Sequence, residues 1–180
     1  MSGSVFYDAA GLDRVAINLF YGWGYNFYRQ ENQLRADDLL IREKAGFLLG
    51  QSRAMLEAGQ SAYRRGHLPP PSRAHPLPPP EAIEAARALE ELSNAVGALE
   101  GTIRALPVPE NDRMTQRYRQ EAGTLSLLAA CDQRLIGLAE ALRATLDGRD
   151  HDWMLANRAT IREALRLIQG QVRERQALLK

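Results

Sequence analysis

Several residue types are scarce in this chain of 180 residues, and each scarcity excludes a class of protein. The single cysteine, Cys131, has no second cysteine with which to form an internal disulfide or a Cys-rich metal motif. The net charge is only +1, so no overall field attracts nucleic acid. The longest uncharged run, between Arg14 and Arg29, is shorter than the roughly 20 residues that cross a bilayer. We therefore expect no membrane span and no nucleic-acid partner.

Residues that favour β-strands are also scarce after residue 30. Val, Ile and Thr are sparse there and do not alternate with polar residues over a useful length. The strong helix formers Ala, Leu, Glu, Arg and Gln dominate instead. Residues Met1–Ala10 lack the basic start of a signal peptide, so we expect a cytoplasmic protein. The sequence predicts an all-α fold in one domain, residues 1–180.

The first predicted helix is very long and leads into a Pro-rich linker. It is predicted from about Leu12 to about Arg65 by its apolar spacing, which begins at Leu12 and continues to Met55. A helix of that length requires a bend, near Gly22–Gly24 or near Glu31–Gln33. The linker, residues 67–80, is compatible with a polyproline II spacer. The pattern leaves open whether the second helix returns antiparallel or the linker crosses along the bundle.

Three further helices have clear local signals. Pro80 suits the first position of a second helix that ends before Pro107. A third helix begins near Asn111 or Asp112 and ends just before Gly148, which is a plausible left-handed residue after the helix. Asp150 then caps a fourth helix. Together the signals predict a four-helix bundle with an additional aromatic-rich N-terminal helical segment and a Pro-rich linker between helices 1 and 2.

The aromatic residues are concentrated in the N-terminal segment, residues 1–30. Eight of the twelve Phe, Tyr and Trp residues precede residue 30. Helical spacing places these aromatics on two faces, more than one bundle seam requires. Core packing, an oligomer or partner interface, and a ligand pocket or membrane-surface helix all remain open. The predicted interface residues are Tyr21, Trp23, Tyr25, Phe27 and Tyr28.

Acidic side chains on otherwise apolar stripes form the second candidate site. Asp38 and Asp132 both fall on such stripes, where an unpaired charge is costly. A buried arginine or amide partner explains each carboxylate; a ligand-binding or catalytic pocket is the alternative. The residues proposed for that pocket are Asn26, Glu31, Asp38, Asp132 and Arg158.

No motif identifies an enzyme, a cofactor or a metal site. The Glu-x-x-His pattern of di-iron bundles is missing, as are the common nucleotide-binding and nucleophile motifs. The arginines of the fourth helix, Arg158, Arg162, Arg166 and Arg173, form a basic stripe. We interpret this stripe as a solvated face with acidic partners on a neighbouring helix, since the domain is nearly neutral.

The leading hypothesis is a non-enzymatic module that self-associates or docks a protein partner through its aromatic segment. The competing hypothesis is a small-molecule-binding or catalytic bundle, with a pocket of buried carboxylates beneath an aromatic lid.

Overall fold

The computed structural model describes residues 34–70, 72–73, 77–106 and 122–178. This part of the chain contains helices and connecting turns, with no strand, which confirms the all-α prediction for it. The predicted aromatic segment, and any bend before Leu34, lie outside the described residues. The described helices are α1 (Leu34–His67), α2 (Pro80–Arg104), α3 (Ala122–Leu146), α4 (His151–Ala156) and α5 (Arg158–Leu178).

Local capping signals in the sequence set three of these helix boundaries. Pro80 is the first residue of α2, where its missing N–H costs no hydrogen bond. Gly148, after the end of α3, has a φ of 67°, a conformation that favours glycine. The Asp150 side chain caps α4 by accepting a hydrogen bond of 2.8 Å from the backbone N–H of Trp153. These three boundary predictions are confirmed.

The prediction of one unbroken fourth helix is wrong at Asn157. The backbone there has φ −103° and ψ 17°, which interrupts the helix between α4 and α5. Both the backbone N–H and the side-chain amide of Asn157 donate to the carbonyl oxygen of Trp153, each at 2.9 Å. An Asn side chain that bonds its own helix competes with the regular pattern in this way.

The helices pack in a bundle-like ring. α1 packs on α2 and α3, and α5 packs on the same two helices. α1 and α2 run antiparallel, because Arg42 near one end donates to the carbonyl of Leu106 and Arg64 near the other end pairs with Glu90 at 3.6 Å. The linker therefore returns the chain antiparallel to α1, which answers the topological question left open by the sequence.

One continuous apolar core lies between the four long helices. Buried apolar residues recur at helical spacing along α2, α3 and α5 and form most of this core. In α1, Leu56 is fully buried whereas its neighbour Met55 is only half-buried. No helix in the described ranges is long and apolar enough to cross a membrane. Large core residues include Ile41, Leu49, Leu56, Leu89, Leu92, Ile103, Leu128, Leu135, Ile136 and Leu142.

Gly59 allows α4 to approach α1 closely. A Cβ atom at residue 59 would lie 2.7 Å from Met154 Sδ, closer than van der Waals contact permits. Met154 is itself 1% exposed, so its side chain fills the space that the glycine leaves. The C-terminal end of α1 is thereby held against the short helix α4.

Candidate functional site

The predicted interface lies outside the part of the chain that the structure describes. This applies to Tyr21, Trp23, Tyr25, Phe27 and Tyr28. Their assignment as interface residues therefore stays a prediction.

The predicted polar pocket is described for only two of its members. Asn26 and Glu31 precede the described residues, and the backbone of Asp38 is in α1 without a described side chain. Asp132 and Arg158 are both described, but they differ sharply in environment. Asp132 is 0% exposed in α3, whereas Arg158 is exposed at the start of α5.

The Asp132 carboxylate is paired with an arginine that was not among the predicted site residues. Arg175 Nε on α5 donates to Asp132 Oδ1 at 2.5 Å, and the two side chains are 2% and 0% exposed. A charge-assisted hydrogen bond is the form in which a folded protein tolerates two buried charges. Arg175 follows Val172 by three residues, so it too lies on the apolar stripe of its helix. The position of Arg175 on this stripe was the sequence signal that could have identified it as the partner of Asp132.

Cys131 and Gln171 flank this ion pair. Each precedes a member of the pair, Cys131 by one residue on α3 and Gln171 by one helical turn on α5. Burial raises the pKa of the Cys131 thiol, and the negative charges of Glu174 and Asp132 raise it further. Arg134 and a hydrogen bond with Gln171 lower it by less. A protonated, buried thiol is a poor nucleophile.

A chemical test follows for Cys131. Iodoacetamide should alkylate the native protein much more slowly than the urea-unfolded protein at pH 8, because alkylation requires an accessible thiolate. Because the pKa of Cys131 is raised in the folded state, folding favours the protonated thiol. The stability that results is fully present below the unfolded pKa of the thiol and is lost as pH rises through the folded pKa. Equal alkylation rates in the native and unfolded protein, measured by mass spectrometry, would contradict the burial of Cys131.

The basic stripe of the fourth predicted helix is a surface with acidic neighbours. Arg162 on α5 bonds Glu91 on α2 at 2.8 Å, and Arg166 bonds Glu163 on its own helix at the same distance. Paired arginines at the surface leave less charge for binding phosphates. Among the described residues, no group of three or more His, Cys, Asp or Glu side chains could hold a metal ion.

Apolar side chains are exposed on the first part of α1. Leu39 is 47% exposed and Phe47 is 54% exposed. At 100° per residue, Phe47 lies about 160° and Leu39 about 120° around the helix from buried Ala45, and the two exposed residues are about 80° apart. Leu39 lies nine positions after the end of the aromatic segment, residues 1–30.

Comparison with known proteins gives no assignment: no family model, curated protein or solved structure matches the chain.

Proposed function

We propose that this chain is a non-enzymatic helical module that self-associates through its N-terminal aromatic segment and the adjoining face of α1. The bundle in this proposal has α1, α2, α3 and α5 around one core, and residues 1–30 add an aromatic surface to it. The observation that carries the proposal is the exposure of Leu39 and Phe47 on the helix that directly follows the segment.

The two surfaces are neighbours in the sequence. Tyr21 and Tyr25 are four positions apart, about one helical turn, and Leu39 follows Tyr25 by 14 positions. Tyrosine is favoured at interfaces because it combines a large apolar ring with a polar tip.

The proposed occupant of this surface is a second copy of the chain, which the nearly neutral net charge permits. The net charge of +1 does not select a strongly acidic or basic partner, and it does not repel another copy. A face of aromatic and aliphatic side chains can be self-complementary, as the interface of a two-fold symmetric dimer must be.

The ligand-binding or catalytic alternative has less support from the described residues. Asp132, the central carboxylate of that hypothesis, is held by Arg175, and Arg158 is exposed. The buried charge thus has a structural role that requires no substrate.

The test is the solution mass of the full chain, measured by light scattering at micromolar concentration. We expect a dimer or larger species, and we expect Tyr21→Ser/Tyr25→Ser and Phe47→Ser each to shift the mass towards the 20.1 kDa of one chain. The reason is that each variant removes apolar area from the contact without touching the described core. Helicity by circular dichroism should remain unchanged.

Leu77→Ser provides the matched control. Leu77 is 83% exposed in the linker and is not one of the residues of the proposed face, so its replacement should leave the mass unchanged. A wild-type protein that is monomeric at all concentrations would contradict self-association, as would an equal response to all three variants.

A further inference from the structure

The fold brings two histidines together that are far apart in the sequence. His67 is the last residue of α1, and His151 is the first residue of α4. Their ring centroids lie 5.6 Å apart, with the ring planes at 87° to each other. Tyr63, one turn before His67, stacks on the His67 ring at 4.2 Å and meets the His151 ring edge at 5.4 Å.

The hydrogen bonds of the two rings determine which nitrogen carries the lone pair. His67 Nδ1 lies 3.1 Å from the carbonyl oxygen of Tyr63, and His151 Nδ1 lies 3.0 Å from Asp152 Oδ1. A carbonyl or ionised carboxylate oxygen can only accept a hydrogen bond, so Nδ1 is the donor in both rings. In each neutral imidazole the lone pair is therefore on Nε2.

This arrangement has the features of a pair of metal-binding histidines. Histidines that bind a metal through one nitrogen usually donate the other N–H to a backbone carbonyl or a carboxylate, which orients the ring. His67 has the first kind of partner and His151 has the second. Two imidazoles on one tetrahedral zinc ion, with Zn–N of about 2.1 Å, have centroids roughly 5 to 5.5 Å apart. The observed separation is close to this value.

We propose that His67 and His151 bind one divalent transition-metal ion through their Nε2 atoms. Imidazole nitrogen suits Zn²⁺, Ni²⁺ and Cu²⁺, whereas Mg²⁺ and Ca²⁺ prefer oxygen ligands. Since no third His, Cys, Asp or Glu joins the pair among the described residues, water molecules complete the coordination. His67 is exposed and the His151 side chain is 22% exposed, so both the ion and these waters can enter from solvent.

The bound ion would link two parts of the fold. His67 ends α1 immediately before the Pro-rich linker, and His151 follows the turn between α3 and α4. An ion bound to both rings holds these ends together in the folded chain. The unfolded chain does not present the pair at this distance, so the metal stabilises the folded state by mass action.

The experiment measures thermal unfolding of untagged full-length protein with ZnCl₂, NiCl₂ or CuCl₂. We expect Tm to rise by about 5–10 °C when free metal is roughly one hundred times its dissociation constant. The rise should disappear on addition of EDTA and at acidic pH, since a protonated imidazole has no lone pair to offer. MgCl₂ should produce no shift.

Substitution of each histidine tests which residues bind the ion. His67→Gln and His151→Gln should each abolish the Tm rise, whereas His75→Gln, which removes the chain's other histidine, should retain it. No shift with any of the three transition metals would overturn the proposal. A shift that survives both His67→Gln and His151→Gln would also overturn it, because the ion would then be bound elsewhere.

A direct observation keeps the proposal testable if a variant does not fold. Nitrogen-detected NMR of the wild-type histidine side chains should show the Nδ1–H tautomer for both residues without metal. Zinc should then shift the Nε2 resonances of His67 and His151 together. Nε2 resonances that do not respond to zinc would contradict binding.

Discussion

Arg175→Ala should lower the free energy of unfolding by about 3–5 kcal/mol. The substitution leaves the carboxylate of Asp132 in the bundle interior without the Nε–H donor that lies 2.5 Å from it. Asp132 is 0% exposed, so water does not replace the lost donor without opening the structure. Urea unfolding followed by circular dichroism gives the free energy, and the effect should exceed that of any surface arginine.

Arg166→Ala is the matched control on the same helix. Its side chain is 70% exposed and pairs with Glu163 at 2.8 Å, a distance similar to that of the buried pair. An exposed pair of this kind is worth about 0–1 kcal/mol, because water screens it. Similar losses for Arg166→Ala and Arg175→Ala would show that the burial of Asp132 has no energetic consequence.

A double substitution separates structural from functional use of the pair. Asp132→Leu/Arg175→Met removes both charges and keeps apolar volume, and such replacements are often neutral or stabilising. We expect the double variant to be more stable than Arg175→Ala alone. If the pair only supports the fold, the double variant should also retain the solution mass of the wild-type protein.

The three confirmed helix boundaries were predictable because their signals are local. Pro80, Gly148 and Asp150 each act on backbone within a few residues, through a missing donor, a left-handed conformation or a side-chain cap. The apolar stripe of α2 was predictable for a similar reason, since Leu89, Val96 and Ile103 repeat at the helical period and all are buried.

The features that the sequence did not predict depend on residues far apart in the chain or on a side-chain hydrogen bond that competes with the regular helix. Asp132 and Arg175 are 43 positions apart, so the stripe indicated that Asp132 needed a partner without selecting that partner. The approach of His67 to His151 likewise requires the packing of α4 on α1. At Asn157, a side-chain hydrogen bond interrupts a helix whose apolar period continues across the break.

Leu89→Ala should lower the free energy of unfolding by about 2–5 kcal/mol, the range for a leucine truncated in a packed core. Leu89 is 0% exposed on α2, in the core between the long helices. Removing its side-chain carbons costs transfer energy and leaves a cavity that rigid helices fill only in part. Leu77→Ala is the control, because Leu77 is 83% exposed and its truncation should change stability by less than about 0.5 kcal/mol. If the long helices form one cooperative unit, the Leu89 variant should show a single unfolding transition at lower urea. In a Trp23→Phe background, where Trp153 on α4 is the remaining tryptophan, circular dichroism and fluorescence should report the same transition. Separate transitions for the two probes would instead mean that α4 and α2 unfold independently, and that the described helices do not share one core.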